Sequence, residues 1–382
     1  MKQKIIGSGK LQFQRRLDLF FGKILCFMLY PTTFFRLKNN EIKDISIVKL
    51  SGIGDGILLL PLIKKIKEQK KIKIKVICGR ENYPIFEGIN FIDEMVVFDI
   101  LNKNIFVNFI KILKIMFKKT DYGIDFSQSS FYSTILTYLS SKRCSGFYNE
   151  KMGFFRNSLI KDKIKYKEKE HVIFNFFNLA EKTNIKYEKE NITLIKPVFS
   201  ERDYNSVKNL INYNNVVGIH PCNVLNYRAW PKEYFKEVIS YILKNYKYQV
   251  VLMGSKSEEK LVEDLYNLFE PEEKNNVINI AGKVSIKEAM ALISRLKLFI
   301  ANDGGLMHIA ASFNIPTIGI FGSDTPIRYA PFNNESFSFY SSSRCSPCNK
   351  PQDYSWKKCD NPVCLNRIKP KNVISKINHL LK

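Results

Sequence analysis

ISIVKLSGIGDG, residues 45–56, is the stretch that decides the fold. Its first half, Ile45–Leu50, is a short apolar run rich in β-branched residues, the pattern of a strand buried on both faces. Glycines then recur at positions 52, 54 and 56, and Gly56–Lys67 carries apolar residues at Ile57, Leu60, Ile63 and Ile66, which is helical spacing. A strand that passes through a glycine-rich turn into a helix opens a parallel α/β sheet. Outward from it, Lys73–Ile77, Met95–Phe98, Tyr122–Phe126 and Arg143–Phe147 read as strands, with Phe106–Phe117 and Ser130–Leu139 as helices. The rhythm lapses between Gly153 and Asn215. Lys161–Glu170 is a charge run, His171–Ala180 is helical, and Asn184–Ser200, with Pro197, reads as a connection. Alternation then restarts with strands at Val216–His220, Gln249–Met253, Val277–Ile280, Leu298–Ala301 and Thr317–Phe321. Helices at Lys232–Leu243, Glu258–Leu268, Ile286–Leu296 and Leu306–Phe313 lie among them. Two successive βα sets predict an α/β protein of two Rossmann-like domains with parallel sheets, 41–200 and 201–382, behind an extension, 1–40.

Composition narrows the partners. A chain of 382 residues with 45% hydrophobic and 25% charged side chains can bury a large core and is not a disordered polymer. Lys and Arg outnumber Asp and Glu by 60 to 36, a net charge of +24, so its partners are anionic. The charge is dispersed and no nucleic-acid-binding signature accompanies it, which leaves phosphorylated small molecules and an anionic membrane surface. The extension is basic at Lys2, Lys4, Lys10, Arg15 and Arg16, then apolar from Leu19 to Tyr30, with Lys23 inside that run and Pro31 closing it. The run falls short of the roughly 20 residues a span needs. No small-residue cleavage site follows it, which disfavours a cleaved signal. A helix lying in the membrane interface and a helix packed on the protein body both fit.

Three turns carry chemistry. In the first, Gly52, Gly54 and Gly56 allow close backbone approach, while Asp55 would repel a pyrophosphate, so the turn suits a general base on the acceptor side. The ordinary alternative is a helix-capping aspartate. In the second, Asn302-Asp303-Gly304-Gly305-Leu306-Met307-His308, Gly304 and Gly305 open a helix whose N–H groups attract an anion. Asp303 there can accept sugar hydroxyls, and His308 is either a ligand or a buried structural histidine. In the third, Arg228 precedes Trp230-Pro231; its guanidinium fork suits a diphosphate, and a plain surface arginine is the alternative. Pro231 is well placed to start the next helix. Cys345, Cys348, Cys359 and Cys364 form a C-x2-C-x10-C-x4-C cluster open to three readings: structural zinc, disulfides, or reduced thiols packing a loop. Cys26, Cys78, Cys144 and Cys222 read as buried free thiols.

These motifs together resemble glycosyltransferase family 9, the ADP-heptose lipopolysaccharide heptosyltransferases. The family's opening pattern is similar to Gly52, Gly54, Asp55 and Pro61. Its basic residue before Trp-Pro is matched by Arg228, Trp230 and Pro231. Its glycine-lysine stretch resembles Ala281-Gly282-Lys283-Val284-Ser285. Its D-[ST]-G-x-x-H-x-A-A run is matched by Asp303, Gly305, His308, Ala310 and Ala311, followed by Pro316-Thr317 and Phe321-Gly322. The resemblance covers Ile45 to Leu365. It departs from the family at Gly304, where Ser or Thr is usual, and in the 40-residue basic extension.

The resemblance implies a GT-B fold with an interdomain cleft. It implies inverting transfer without a required metal or cofactor, from ADP-heptose or a similar nucleotide-diphosphate sugar to a lipid-linked glycan such as the lipopolysaccharide core. It places the enzyme in the cytoplasm, peripheral on the inner face of the membrane. Asp55 would be the base, Asp303 would contact the sugar, and Arg228 the phosphates. Without Mg²⁺ the leaving diphosphate needs cationic partners, which Arg228, Lys283 and the Gly304–Gly305 amides can supply. A catalytically inactive scaffold that binds nucleotide sugar or glycolipid is the alternative. A nucleotide-sugar epimerase of the same fold lacks both the GxGD opening and the D-x-G-x-x-H run.

Overall fold

The computed structural model describes residues 8–35, 41–99, 105–211, 215–223, 229–351, 353, 359 and 361–381. Two compact units divide the chain, one of Lys10–Thr193 with a short return at Lys350–Trp356, the other of Leu194–Asn349 with Lys357–Lys382.

The N-terminal unit runs α1 (Ser8–Leu29), a 3-10 turn (Tyr30–Phe35), β1 (Asp44–Lys49), α2 (Ile53–Lys70), β2 (Lys73–Cys78), α3 (Tyr83–Phe86), β3 (Glu94–Val97), α4 (Ile105–Phe117), β4 (Thr120–Asp125), α5 (Phe131–Ser140), β5 (Ser141–Tyr148), α6 (Gly153–Leu159), β6 (Asp162–Lys165) and α7 (Val172–Ala180). Its six strands are parallel in the order β3-β2-β1-β4-β5-β6. β1, β2 and β4 are buried along nearly their whole length because helices cover both faces, and they carry buried polar side chains such as Lys75, Asp121 and Asp125 within them. In this unit the strand that the sequence pattern does not show is β6. It lies inside the charge run and closes the sheet edge, where solvent takes one face. Its charge is satisfied sideways: Arg143 on β5 donates two hydrogen bonds, each 2.8 Å, to the two oxygens of Asp162, and the Tyr122 hydroxyl adds a third.

The C-terminal unit runs α8 (Glu201–Val207), β7 (Val216–His220), α9 (Lys232–Tyr246), β8 (Gln249–Leu252), α10 (Glu259–Tyr266), α11 (Pro271–Lys274), β9 (Val277–Asn279), α12 (Ile286–Ile293), β10 (Leu298–Asn302), α13 (Gly305–Ser312), β11 (Thr317–Phe321), α14 (Pro326–Tyr329), β12 (Phe337–Tyr340), α15 (Val363–Asn366) and α16 (Pro370–Leu380). Its parallel order is β12-β11-β10-β7-β8-β9. β7, β10 and β11 have every residue buried. Helix starts follow their capping signals: Ser285 and Glu288 form a reciprocal capping box on α12, as Ser200 and Asp203 do on α8.

The extension is longer and more tightly held than the apolar run alone predicts. α1 and the following 3-10 turn make Arg15–Phe35 long and apolar enough, by length and composition, to cross a bilayer. Yet α1 packs on the N-terminal unit. Cys26 lies in one cluster with Phe131, Ile135, Tyr138, Cys144, Met152 and Leu159, and Leu19 and Leu29 pack against it.

Candidate functional site

Each sheet reverses its strand order once, between β1 and β4 in the N-terminal unit and between β7 and β10 in the C-terminal unit. Open α/β sheets bind ligands just beyond the strand ends at such a reversal, because the helices leaving in opposite directions open a crevice there.

At the first reversal the chain leaves β1 at Lys49 and turns at Gly52 with φ +93°. Side chains rarely tolerate that backbone, and a Cβ there would also stand 3.2 Å from Asp55 Oδ2. The helix therefore begins at Ile53, earlier than its apolar spacing predicts, and Gly54 and Asp55 belong to its first turn. Gly56 is buried, and a Cβ on it would meet Ile85 at 3.4 Å, so its small size lets α2 close on α3. Asp55 does not cap the helix. Gly52 holds that position with no side-chain cap. The Asp55 carboxylate instead faces Lys49 Nζ at 2.6 Å, with the lysine side chain 8% and the carboxylate 17% exposed. The Lys49 ammonium also donates to the Phe126 carbonyl just past β4, at 3.4 Å. An ion pair thus stands at the reversal, sunk on its lysine side and more open on its acid side. Sequence reasoning passed over Lys49. Its signal was a lysine at the last position of an otherwise apolar strand.

At the second reversal β7 ends in His220 and β10 in Asn302. Asn302 is fully buried. Its Oδ1 accepts from the Trp230 backbone N–H at 2.9 Å, and its amide donates to the Cys222 carbonyl at 3.4 Å, which ties the segment after β7 to the end of β10. The Trp230 indole donates to Ile368 O at 2.9 Å. Asp303 is held through its backbone. Its N–H donates to Ile320 O at 3.1 Å, and its carbonyl accepts from the Asn223 amide at 2.8 Å. Gly304 occupies the N-cap of α13 in an extended conformation and supplies no side-chain cap, and Gly305 starts the helix. His308 lies buried on α13.

His220 is the residue missed here. Its Nε2 faces Glu258 Oε2 at 3.4 Å, and Glu258 also accepts from the Ser255 N–H and hydroxyl, each at 2.8 Å. Burial alone would raise the Glu258 carboxyl, but the charge and hydrogen bond of His220 and the two Ser255 donors outweigh it and hold it down at about 2. His220 Nδ1 is buried with no hydrogen-bond partner among the described residues, and it lies 3.8 Å from where a Gly304 Cβ would stand. An unsatisfied ring nitrogen therefore looks at the start of α13.

Four of the sequence-derived residues are neighbours in the C-terminal unit, and two are not seen with them. Asp303, Gly304, Gly305 and His308 follow one another from the end of β10 into α13. Lys283 stands beyond edge strand β9, exposed, with Nζ on Asn279 O at 2.9 Å. β9 is three strands from β10, roughly 14 Å across a sheet spaced about 4.8 Å per strand. Arg228 lies outside the described residues.

The model of glycosyltransferase family 9 (heptosyltransferase) matches residues 112–358. The chain belongs to glycosyltransferase family 9. Among relatives of this family 9 chain, lipooligosaccharide heptosyltransferase 2 of Campylobacter jejuni is 27% identical over 226 residues, 58% of this chain and 67% of that protein. Lipopolysaccharide core heptosyltransferase OpsX of Haemophilus influenzae is 27% identical over 304 residues, 76% of this chain and 82% of that protein. The crystal structure of a family 9 glycosyltransferase from Veillonella parvula superposes with a TM-score of 0.75 at 18% identity, covering 90% of this chain and 98% of its own. That of the E. coli ADP-heptose lipopolysaccharide heptosyltransferase II gives 0.70 at 18% identity, covering 88% and 98%. At these identities the superpositions establish the fold, which is GT-B. The D-x-G-x-x-H turn and half of the cysteine cluster, Cys345 and Cys348, lie within the matched residues, and the GxGD turn precedes them. Cys345, Cys348, Cys359 and Cys364 form no disulfide, and among the described residues no group of three or more His, Cys, Asp or Glu is placed to hold a metal ion. Cys364 instead joins the core of the C-terminal unit.

Proposed function

We propose that this family 9 glycosyltransferase is an inverting, metal-independent heptosyltransferase, using ADP-heptose or a similar nucleotide-diphosphate sugar and a lipid-linked glycan such as the lipopolysaccharide core. The relatives named above, heptosyltransferases of lipopolysaccharide and lipooligosaccharide, support the substrate class. The observation that carries the chemistry is the pairing of Asp55 with Lys49 at the reversal of one sheet while Asp303 and the α13 N-terminus stand at the reversal of the other. On this reading the N-terminal unit serves the acceptor and the C-terminal unit the donor.

The acceptor hydroxyl oxygen attacks the anomeric carbon as Asp55 takes its proton, and the bond from that carbon to the diphosphate breaks on the opposite face. Lys49 keeps the Asp55 carboxylate oriented during this step. The departing nucleoside diphosphate carries the electron pair, and its charge is met by Arg228, the Gly304 and Gly305 amides and the Nδ1–H of His220 in its protonated form. Those cationic and dipolar groups take the part a divalent cation plays in other transferases. Asp303 accepts donor-sugar hydroxyls. The reaction is placed on the cytoplasmic face of the inner membrane, with the enzyme peripheral.

Asp55→Asn tests it. The variant should bind ADP-heptose with wild-type affinity and lose at least about 100-fold in turnover. Unchanged turnover removes Asp55 from the chemistry. A wild-type chain that binds donor but transfers nothing to any lipid-linked glycan would be the scaffold instead.

A further inference from the structure

α1 presents two unlike faces. Asp18, Gly22, Cys26 and Leu29 recur at helical spacing and turn inward. The Asp18 carboxylate accepts from the backbone N–H groups of Phe131 and Tyr132 at 3.1 and 2.7 Å, at the start of α5. Gly22 approaches so closely that a Cβ would stand 2.2 Å from the Phe131 side chain. Cys26 has no exposed surface. Just past the helix, the Thr32 hydroxyl meets that of Tyr138 at 2.6 Å.

The opposite face is open. Phe13, Phe20, Phe27 and Met28 are each more than half exposed, and Phe34 and Phe35 in the 3-10 turn reach 72% and 87%. α6 extends the same surface. Phe155 packs edge-on against Phe27 with centroids 5.0 Å apart, and Tyr30 packs edge-on against both Phe154 and Phe34 at 5.3 Å. Three elements thus build one crest of interlocked rings that remains largely in solvent, well beyond the scattered apolar side chains of an ordinary surface.

Charge selects what covers it. Residues 1–40 contain eight Lys and Arg and a single acidic side chain, Asp18. That one carboxylate is buried against α5. Arg16 and Lys23 stand exposed beside the aromatic side chains, so the described part of the segment offers cationic and aromatic groups outward, the complement of anionic lipid headgroups over an acyl boundary. The segment is long enough to cross a bilayer, but a crossing would carry the Asp18 carboxylate into hydrocarbon and strip cover from Cys26, Phe131 and Tyr138. The packing favours a helix lying along the surface.

We propose that the outer face of α1, the Tyr30–Phe35 turn and α6 form a monotopic docking surface for anionic bilayers. It belongs to the unit that carries Asp55 and so brings that carboxylate to a lipid-borne acceptor. The proposal rests on the acceptor being lipid-linked, as proposed above. Its vesicle-binding arm needs neither donor nor acceptor. Full-length protein is sedimented with vesicles of phosphatidylcholine alone or mixed with phosphatidylglycerol, beside the triple variant F20E/F27E/F34E, whose sites are all solvent-exposed. Wild type should bind the anionic vesicles at least about tenfold more tightly, lose affinity as salt rises, and be stripped by carbonate. The variant should unfold at the wild-type temperature, lose at least about tenfold in vesicle affinity, and keep full transfer to a soluble acceptor fragment. Retained vesicle affinity in the variant overturns the proposal. So does carbonate resistance of the wild type, which marks a span, or a wild-type dimer that the variant dissolves, which marks a second copy on this face. Wild-type vesicle binding without transfer to any acceptor would sink the transferase reading alone.

Discussion

The Lys49–Asp55 pair is a buried cation beside a partly open acid, and the asymmetry has a use. A base must meet a substrate hydroxyl, so the side of the pair open to solvent should be the acid, as it is. Lys49→Met keeps the length and apolar stem of the lysine while freeing the carboxylate to rotate. We expect turnover to fall about 10- to 100-fold, at or below the low end of general acid–base effects because the base itself remains, with donor affinity unchanged. Steady-state kinetics together with calorimetric titration of ADP-heptose would decide it, and full turnover in the variant would reduce Lys49 to a packing role. Asp55 and Asp303 were legible in the sequence because a carboxylate in a glycine-rich strand-to-helix turn is out of place. Lys49 and His220 were not. Each is the last residue of a strand, where the pattern reports only an apolar run, and their partners lie elsewhere in the chain, at Phe126 and Glu258.

Elements were legible where both faces are covered. β1, β7 and β8 announced themselves as β-branched runs, and several helix starts followed their Ser and Pro signals. β6 escaped because it lies inside a charge run at the edge of its sheet, and β12, a four-residue Phe-Ser-Phe-Tyr alternation at the edge of the other, was passed over. The start of α2 shifted because the turn is set by the backbone of Gly52, which apolar spacing does not report. α1 was the ambiguous element: one face packs on the protein, as one of its two readings expected, and the other is exposed and apolar, on which the proposal of membrane docking rests. Its hold on α5 is measurable. Asp18 acts as a remote cap, supplying from outside the helix the acceptor that the first N–H groups of α5 need. Asp18→Ala should cost about 1–2 kcal/mol, the range for losing a charged cap. Urea denaturation followed by circular dichroism reads it. A stability equal to wild type would mean that α1 rests on its unit through apolar contact alone.

At the scale of the whole chain, two parallel sheets have two separate reversals, and the proposed assignment of donor and acceptor to different units can be read without catalysis. ADP at 100 times its Kd stabilises whatever binds it by about 2.7 kcal/mol, roughly 100-fold in an opening equilibrium. Hydrogen exchange on the full-length protein should slow in peptides spanning 216–223 and 302–309, and peptides spanning 50–57 should exchange at their unliganded rate. Protection confined to 50–57 would reverse the assignment of the units. The net charge of +24 indicated an anionic partner from the outset. Composition could not say where that charge gathers, since dispersed lysines become a directed surface only when a fold turns the lone acid of a segment inward. Cys26 gives that segment a built-in chemical clock. Burial, partly offset by the charge of Arg156 and reinforced by Asp18, pushes its thiol up to about 12. Alkylation at neutral pH must therefore wait for α1 to lift away, since both the sulfur's access and its thiolate depend on it. The exposed Cys345 should label at once. The lag before Cys26 follows counts how often the segment leaves its bed, and mass spectrometry of timed quenches would expose an unlatched helix as a Cys26 that reacts as fast as Cys345.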